Sequence, residues 1–157
     1  MMGHDLEPVI VRDQKVRDYA LFGMHRAQVN ITDGRYVYMR SSVAGDEPLY
    51  NYTQMPTHMR SRFSVAEMKT MRPHHGFSFT KGTPVMGISA MEDASGDTSL
   101  KKNPSTVLFD LLKDPGQTYP INDQKTEVRM IQNMIELMKD NDAPREQYIR
   151  LGLDAYV

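Results

Sequence analysis

The sequence predicts an α+β fold, an antiparallel sheet of about four strands covered by a C-terminal helix. Three observations predict it. Asp33-Gly34 joins two β-rich runs, Val29-Asn30-Ile31-Thr32 and Arg35-Tyr36-Val37-Tyr38. Thr106 to Leu111 is a further apolar run, closed by the turn residues Asp114-Pro115-Gly116. Val128, Ile131, Met134, Ile135 and Met138 recur three and four apart, which is one face of a helix. A sheet with one apolar face needs such a helix to cover it.

In chain order, residues 8 to 55 read as strands. Val9-Ile10-Val11 is a short apolar run, and Tyr19-Ala20-Leu21-Phe22-Gly23 is a second one bounded by glycine. Asp33-Gly34 predicts a two-residue type I′ hairpin, because both central positions of that turn need positive φ. This turn sets Thr32 opposite Arg35, Ile31 opposite Tyr36, Asn30 opposite Val37 and Val29 opposite Tyr38. One face then carries Val29, Ile31, Tyr36 and Tyr38; the other mixes Gln28, Asn30, Val37 and Met39.

Residues 41 to 106 are weakly patterned and read as an insertion within a single domain spanning 1–157. Leu49 to Thr53 reads as a strand. Ser64 and Glu67 have capping-box spacing and open a helix. Phe77 to Thr80 and Val85 to Ile88 read as short extended pieces, and Asp93 to Pro104 as a surface loop. Asn122 or Asp123 caps the long helix, which runs to about 140. Asn141-Asp142-Ala143-Pro144 breaks it and opens a short second helix, ended by Gly152.

Composition narrows the function classes. The chain has 157 residues, 19 basic against 20 acidic, and a net charge of −1. Binding of a nucleic acid through bulk charge is therefore not expected. No stretch approaches the ~20 apolar residues of a membrane helix, and Met1 to Glu7 lacks the pattern of a secretory signal. With no Cys, disulfides, Cys-ligated zinc, Fe–S clusters and a thiol nucleophile are excluded.

The five His residues do not fall at the spacing of a known metal site. His74 and His75 would point apart in a strand. His25 follows Gly23 between two strands, where a site can form. Thr57-His58-Met59-Arg60-Ser61-Arg62-Phe63 is a small basic cluster, with Arg72, His74 and His75 downstream. It has the chemistry to hold an anion. The plainer expectation is a solvated loop, or one paired with acidic neighbours such as Asp46 and Glu47.

Several stretches together resemble one family. Tyr19 to Gly23 and Val29 to Arg40 are similar to a segment of bacterial sulfatases of the arylsulfatase type, in the alkaline-phosphatase-like superfamily. Met55-Pro56-Thr57-His58-Met59-Arg60-Ser61-Arg62-Phe63 and Phe77 to Gly82 continue the resemblance. Leu108-Phe109-Asp110-Leu111 before Asp114-Pro115-Gly116-Gln117 looks like the family's Leu-Tyr-Asp-Leu-x-x-Asp-Pro. Asn141 to Gly152 resembles the tail of one subgroup. Arg26 departs from the small residues usual in the family after His25.

The resemblance implies the C-terminal subdomain of a sulfatase, which packs on the catalytic domain and helps shape the substrate cleft. The family's calcium ion and formylglycine would then belong to the missing catalytic half. Its Cys/Ser-x-Pro/Ala-x-Arg motif does not occur here, so no catalytic or metal residue carries over. His25, Asn30, His58, Arg60 and Arg62 are the residues expected to reach substrate. The expected partner is a separately encoded sulfatase catalytic domain, or a second copy of the chain. The alternative is a free-standing binding or self-association module derived from that subdomain. An independent enzyme built on His and carboxylates of the middle segment has no motif behind it.

Overall fold

In the computed structural model of the chain, residues 5–24, 27–43, 48–90 and 105–156 are described. The architecture is α+β, with two small antiparallel sheets. The first has the order β1-β2-β3-β7, from Ala20–Gly23 (β1), Val29–Thr32 (β2), Tyr36–Arg40 (β3) and Val107–Asp110 (β7). The second has the order β4-β6-β5, from Tyr50–Thr53 (β4), Arg72–His74 (β5) and Val85–Ser89 (β6). The helices are Glu7–Arg12 (α1), Val65–Thr70 (α2), Gln124–Asp140 (α3) and Arg145–Arg150 (α4).

The predicted sheet and covering helix are both present. Asp123 is the N-cap of α3, and its side chain accepts from Thr126 N–H. The helix packs across β1 and β2. Ile31, Tyr38 and Leu108 meet Met130, Met134, Ile135 and Met138 in one core, which Tyr148, Leu151 and Leu153 extend. Val128 departs from the predicted stripe: it is 47% exposed, and Met130 takes the buried position. At 100° per residue Val128 falls at the edge of an arc centred on Met130, Met134 and Met138.

Gly152 ends α4 as expected, at φ +64°. Its N–H donates to the Ile149 carbonyl and the Leu153 N–H to the Tyr148 carbonyl, the two bonds of a Schellman cap. Leu153 and Tyr148 both lie in the core, so the cap also anchors the C-terminal segment.

The hairpin keeps its predicted faces but not its predicted register. Val29, Ile31, Tyr36 and Tyr38 all face the core. The pairs, however, are Val29 with Arg40, Asn30 with Met39, Ile31 with Tyr38 and Thr32 with Val37. The Asp33 side chain causes the difference. Its Oδ1 accepts from the Arg35 and Tyr36 N–H groups, at 2.9 and 2.7 Å. Asp33 N–H donates to the Tyr36 carbonyl, so the turn moves to Gly34-Arg35, with Gly34 at φ +91°. Each residue then slips by two positions against its partner, which preserves the two-residue alternation of faces.

Two further expectations are corrected. Val9-Ile10-Val11 lies in α1, not in a strand; three apolar residues fit either period, and Pro8 suits a first helical turn. Phe77 to Thr80 is not extended: Ser78–Thr80 forms a 3-10 turn, in which Thr80 Oγ1 accepts from Phe77 N–H. Within 41–106 the expected strand (β4), helix (α2) and extended piece at Val85 to Ile88 (β6) are all present, and β5, which was not expected, completes the second sheet. Pro73 in β5 is compatible with an edge strand, since its missing N–H faces away from the ladder. The expected loop at Asp93 to Pro104 lies outside the described residues.

Candidate functional site

The basic cluster lies between β4 and α2, and a capping box fixes one side of it. Ser64 Oγ accepts from Glu67 N–H at 3.2 Å, and Ser64 N–H donates to Glu67 Oε2 at 2.7 Å. The free oxygen of the same carboxylate, Oε1, lies 2.6 Å from His58 Nε2. Glu67 is 2% exposed. Burial pushes its carboxyl pKa up, but the hydrogen bonds from Ser64 and His58 outweigh this and hold it below its ordinary value. The His58 ring also stands edge-on to Phe63, with centroids 4.5 Å apart. Backbone cap, imidazole and aromatic ring thus fix the 58–63 loop on the end of α2.

Two clefts open beside this joint. A small one of about 170 Å³ is lined by His58, Phe63, Met55, Asn51 and Ile88. A larger one of about 520 Å³ is apolar, lined by Met55, Phe63, Met68, Met71 and Met86, with Arg62 among its lining residues. Arg60 and Arg62 are exposed, and neither has an ion-pair or hydrogen-bonding partner among the described residues. Among the described residues the cluster meets a carboxylate at Glu67, reached through His58. Asp46 and Glu47, the expected partners, lie outside the described residues.

Of the other expected site residues, Asn30 is not brought to this place by any contact among the described residues. His25 lies outside the described residues, as does Arg26. Asn30 is central in β2, between Phe22 of β1 and Met39 of β3, on the sheet face away from α3. Its Oδ1 is buried with no hydrogen-bond partner among the described residues. A buried acceptor left unpaired is destabilising by ~1–3 kcal/mol, so this oxygen would gain from a donor. Only His58, Arg60 and Arg62 share one loop.

A second cluster was not foreseen. His74 and His75 stack, with ring centroids 4.3 Å apart and planes 25° from parallel. The expectation that they point apart fails because β5 ends at His74 and the chain turns at Gly76, φ +91°. Phe77 stacks on His74 at 5.0 Å, and Tyr52 meets both rings at 4.9 and 5.0 Å. Tyr52 donates its hydroxyl proton to Glu146 Oε1 at 2.5 Å. Burial pushes the Tyr52 hydroxyl pKa up, and the Glu146 carboxylate raises it further. Asp142 accepts from Ser78 N–H at 2.7 Å. These two bonds join the second sheet to the α3–α4 corner around an open cleft of about 710 Å³. Tyr50 and Tyr52, two apart in a strand, mark one face in the sequence; Glu146, the partner of Tyr52, is 94 residues away and left no local signal.

Among the described residues, no group of three or more His, Asp or Glu side chains is placed to hold a metal ion. Compared with protein-family models, curated proteins and solved structures, the chain matches none.

Proposed function

We propose that this chain is the C-terminal part of a sulfatase, which packs on the catalytic part and helps shape its substrate cleft. The observation that carries the reading is where the family-like residues fall. Tyr19 to Gly23, Val29 to Arg40, Leu108 to Gln117 and Asn141 to Gly152 fall in one sheet-and-helix unit, whereas Met55 to Phe63 and Phe77 to Gly82 lie beside the second sheet. Val29 to Arg40 is the central hairpin, Leu108-Phe109-Asp110 is β7, and Asp114-Pro115-Gly116 is the turn that leads towards α3. The 141–152 stretch contains α4 and its Schellman cap.

On this reading the chain alone hydrolyses no sulfate ester. It has no Cys and no Ser-x-Pro/Ala-x-Arg, hence no residue to activate as the family's nucleophile beside a cation. The test has two parts. The DNA adjoining the coding region is read for a segment with that motif and acidic metal ligands. The chain is then produced alone and together with that segment, and assayed on an aryl sulfate. Turnover only when both are present supports the reading. Turnover by the chain alone after repurification, or adjoining DNA without the motif, overturns it.

A self-association module is the second reading. It is favoured by the exposed apolar side chains of α1, Ile10 and Val11.

A further inference from the structure

Charge is unevenly distributed along the chain. Residues 54–90 carry five cationic side chains, Arg60, Arg62, Lys69, Arg72 and Lys81, against the single buried carboxylate of Glu67. The net charge of the whole chain is −1, so the remainder is acidic. The basic stretch is also where large apolar side chains reach solvent: Met55 is 47%, Met59 89%, Met68 59% and Phe79 64% exposed. Methionine surfaces of this kind adapt to an apolar guest.

α1 has complementary features. It has no buried residue. Leu6, Ile10 and Val11 are 52%, 82% and 70% exposed, with Leu6 and Ile10 one turn apart. Its N-terminal end is acidic, with Asp5 and Glu7. Residues 13–19 have no regular structure and connect it to β1. At ~3.3 Å per residue, that tether spans roughly 20 Å when extended.

We propose that the chain pairs with a second copy of itself, each copy seating its α1 in the methionine-lined cleft of the other. Leu6 and Ile10 enter between Met55, Phe63 and Met68, and the acidic end of α1 meets Arg62. The contact is reciprocal, so two copies close a symmetric dimer without leaving an unpaired surface for further growth. Each six-residue helix buries only a few hundred Å². Two such contacts reach the low end of specific interfaces, ~1,200 Å². The pair is therefore weak, dissociating in the micromolar range. The inference does not depend on the sulfatase reading.

Light scattering tests it. The mass is followed from ~0.1 μM to ~100 μM protein, a range that brackets a constant near ~1 μM. The expected result is a rise from 18.0 kDa towards twice that value, weakened by salt. Ile10→Asp and Met68→Glu each weaken pairing at least ~10-fold, a change of ~1.4 kcal/mol. Both side chains are exposed, so circular dichroism and melting temperature stay at the parent values. Glu7→Arg weakens pairing, and Arg62→Glu in the same chain restores it. A monomer throughout the range overturns the proposal, as does a dimer indifferent to both apolar substitutions. So does a chain that stays monomeric while binding anionic lipid vesicles through Met68 and Arg62.

Discussion

Replacing Glu67 with alanine removes both side-chain contacts of a carboxylate that is 2% exposed. The Ser64 N–H to Oε2 bond at 2.7 Å is charge-assisted and lies at a helix start, where such a bond contributes ~1.5–3 kcal/mol. The His58 contact at 2.6 Å is partly screened, because that ring is 30% exposed, and is discounted to about 1 kcal/mol or less. Alanine returns a few tenths through its helix propensity. The net loss is about 2–3 kcal/mol, or roughly 5–10 °C in melting temperature for a chain of this size. The sign with pH follows from the lowered carboxyl pKa, whose ordinary value is 4.5. A depressed folded-state value gives stability that is fully present above that ordinary value and is lost as pH falls through the folded one. The carboxylate's share of the difference between parent and Glu67→Ala, measured by thermal and urea unfolding, is therefore present above the ordinary value of 4.5 and shrinks as pH falls towards ~3. Glu67→Gln keeps an acceptor for Ser64 and falls between the two. A loss below ~0.5 kcal/mol, or one that does not change down to pH ~3, would refute the assignment of Glu67 as an ionised joint.

Three other substitutions read other joints. Asp33→Ala removes acceptors for Arg35 and Tyr36 N–H and a 2.8 Å ion pair with Arg129 of α3; urea unfolding should show a loss of ~1–3 kcal/mol. Gly152→Ala places a Cβ 2.9 Å from Val43 at φ +64°; it should lower stability by at least ~1–2 kcal/mol, read as a fall in melting temperature. Asn30→Val deletes the unpaired buried oxygen and adds a β-branched side chain within β2; it should raise stability by up to about 1 kcal/mol, and a clear loss would mean that Oδ1 is paired.

Local features were legible in the sequence because they are decided within one or two turns of chain. Ser64 and Glu67, Asp123 with α3, and Gly152 after α4 each announce an element end by spacing alone. The faces of the β2–β3 hairpin were legible from alternation, whereas its register was not. A glycine after Asp permits two adjacent turns, and the choice rests on where one carboxylate oxygen finds its donors. Arg72-Pro73-His74 gave no strand signal, since neither proline nor alternation marks it; pairing with β6 makes it a strand. Val9-Ile10-Val11 was too short to show a period.

The site divides along the same line. Glu67 was visible as half of a capping box and His58 as part of a basic run, but their meeting depends on the fold of the loop between them. The residues that look most like a motif are consumed by structure: Asp33 holds a turn and Arg129, and Asp110 holds Arg35 at 2.9 Å. Function has to come from what the fold leaves unsatisfied. Among the described residues that remainder includes the guanidiniums of Arg60 and Arg62, the methionines beside Arg62, the Asn30 oxygen, and the exposed apolar side chains of α1. Cations and exposed apolar side chains in one stretch, with an apolar helix that is acidic at its N-terminal end elsewhere on the same chain, are the features on which the proposed contact with another protein rests. The sulfatase reading and the pairing of two copies differ in which protein supplies that contact, and Met68→Glu and Arg62→Glu bear on both.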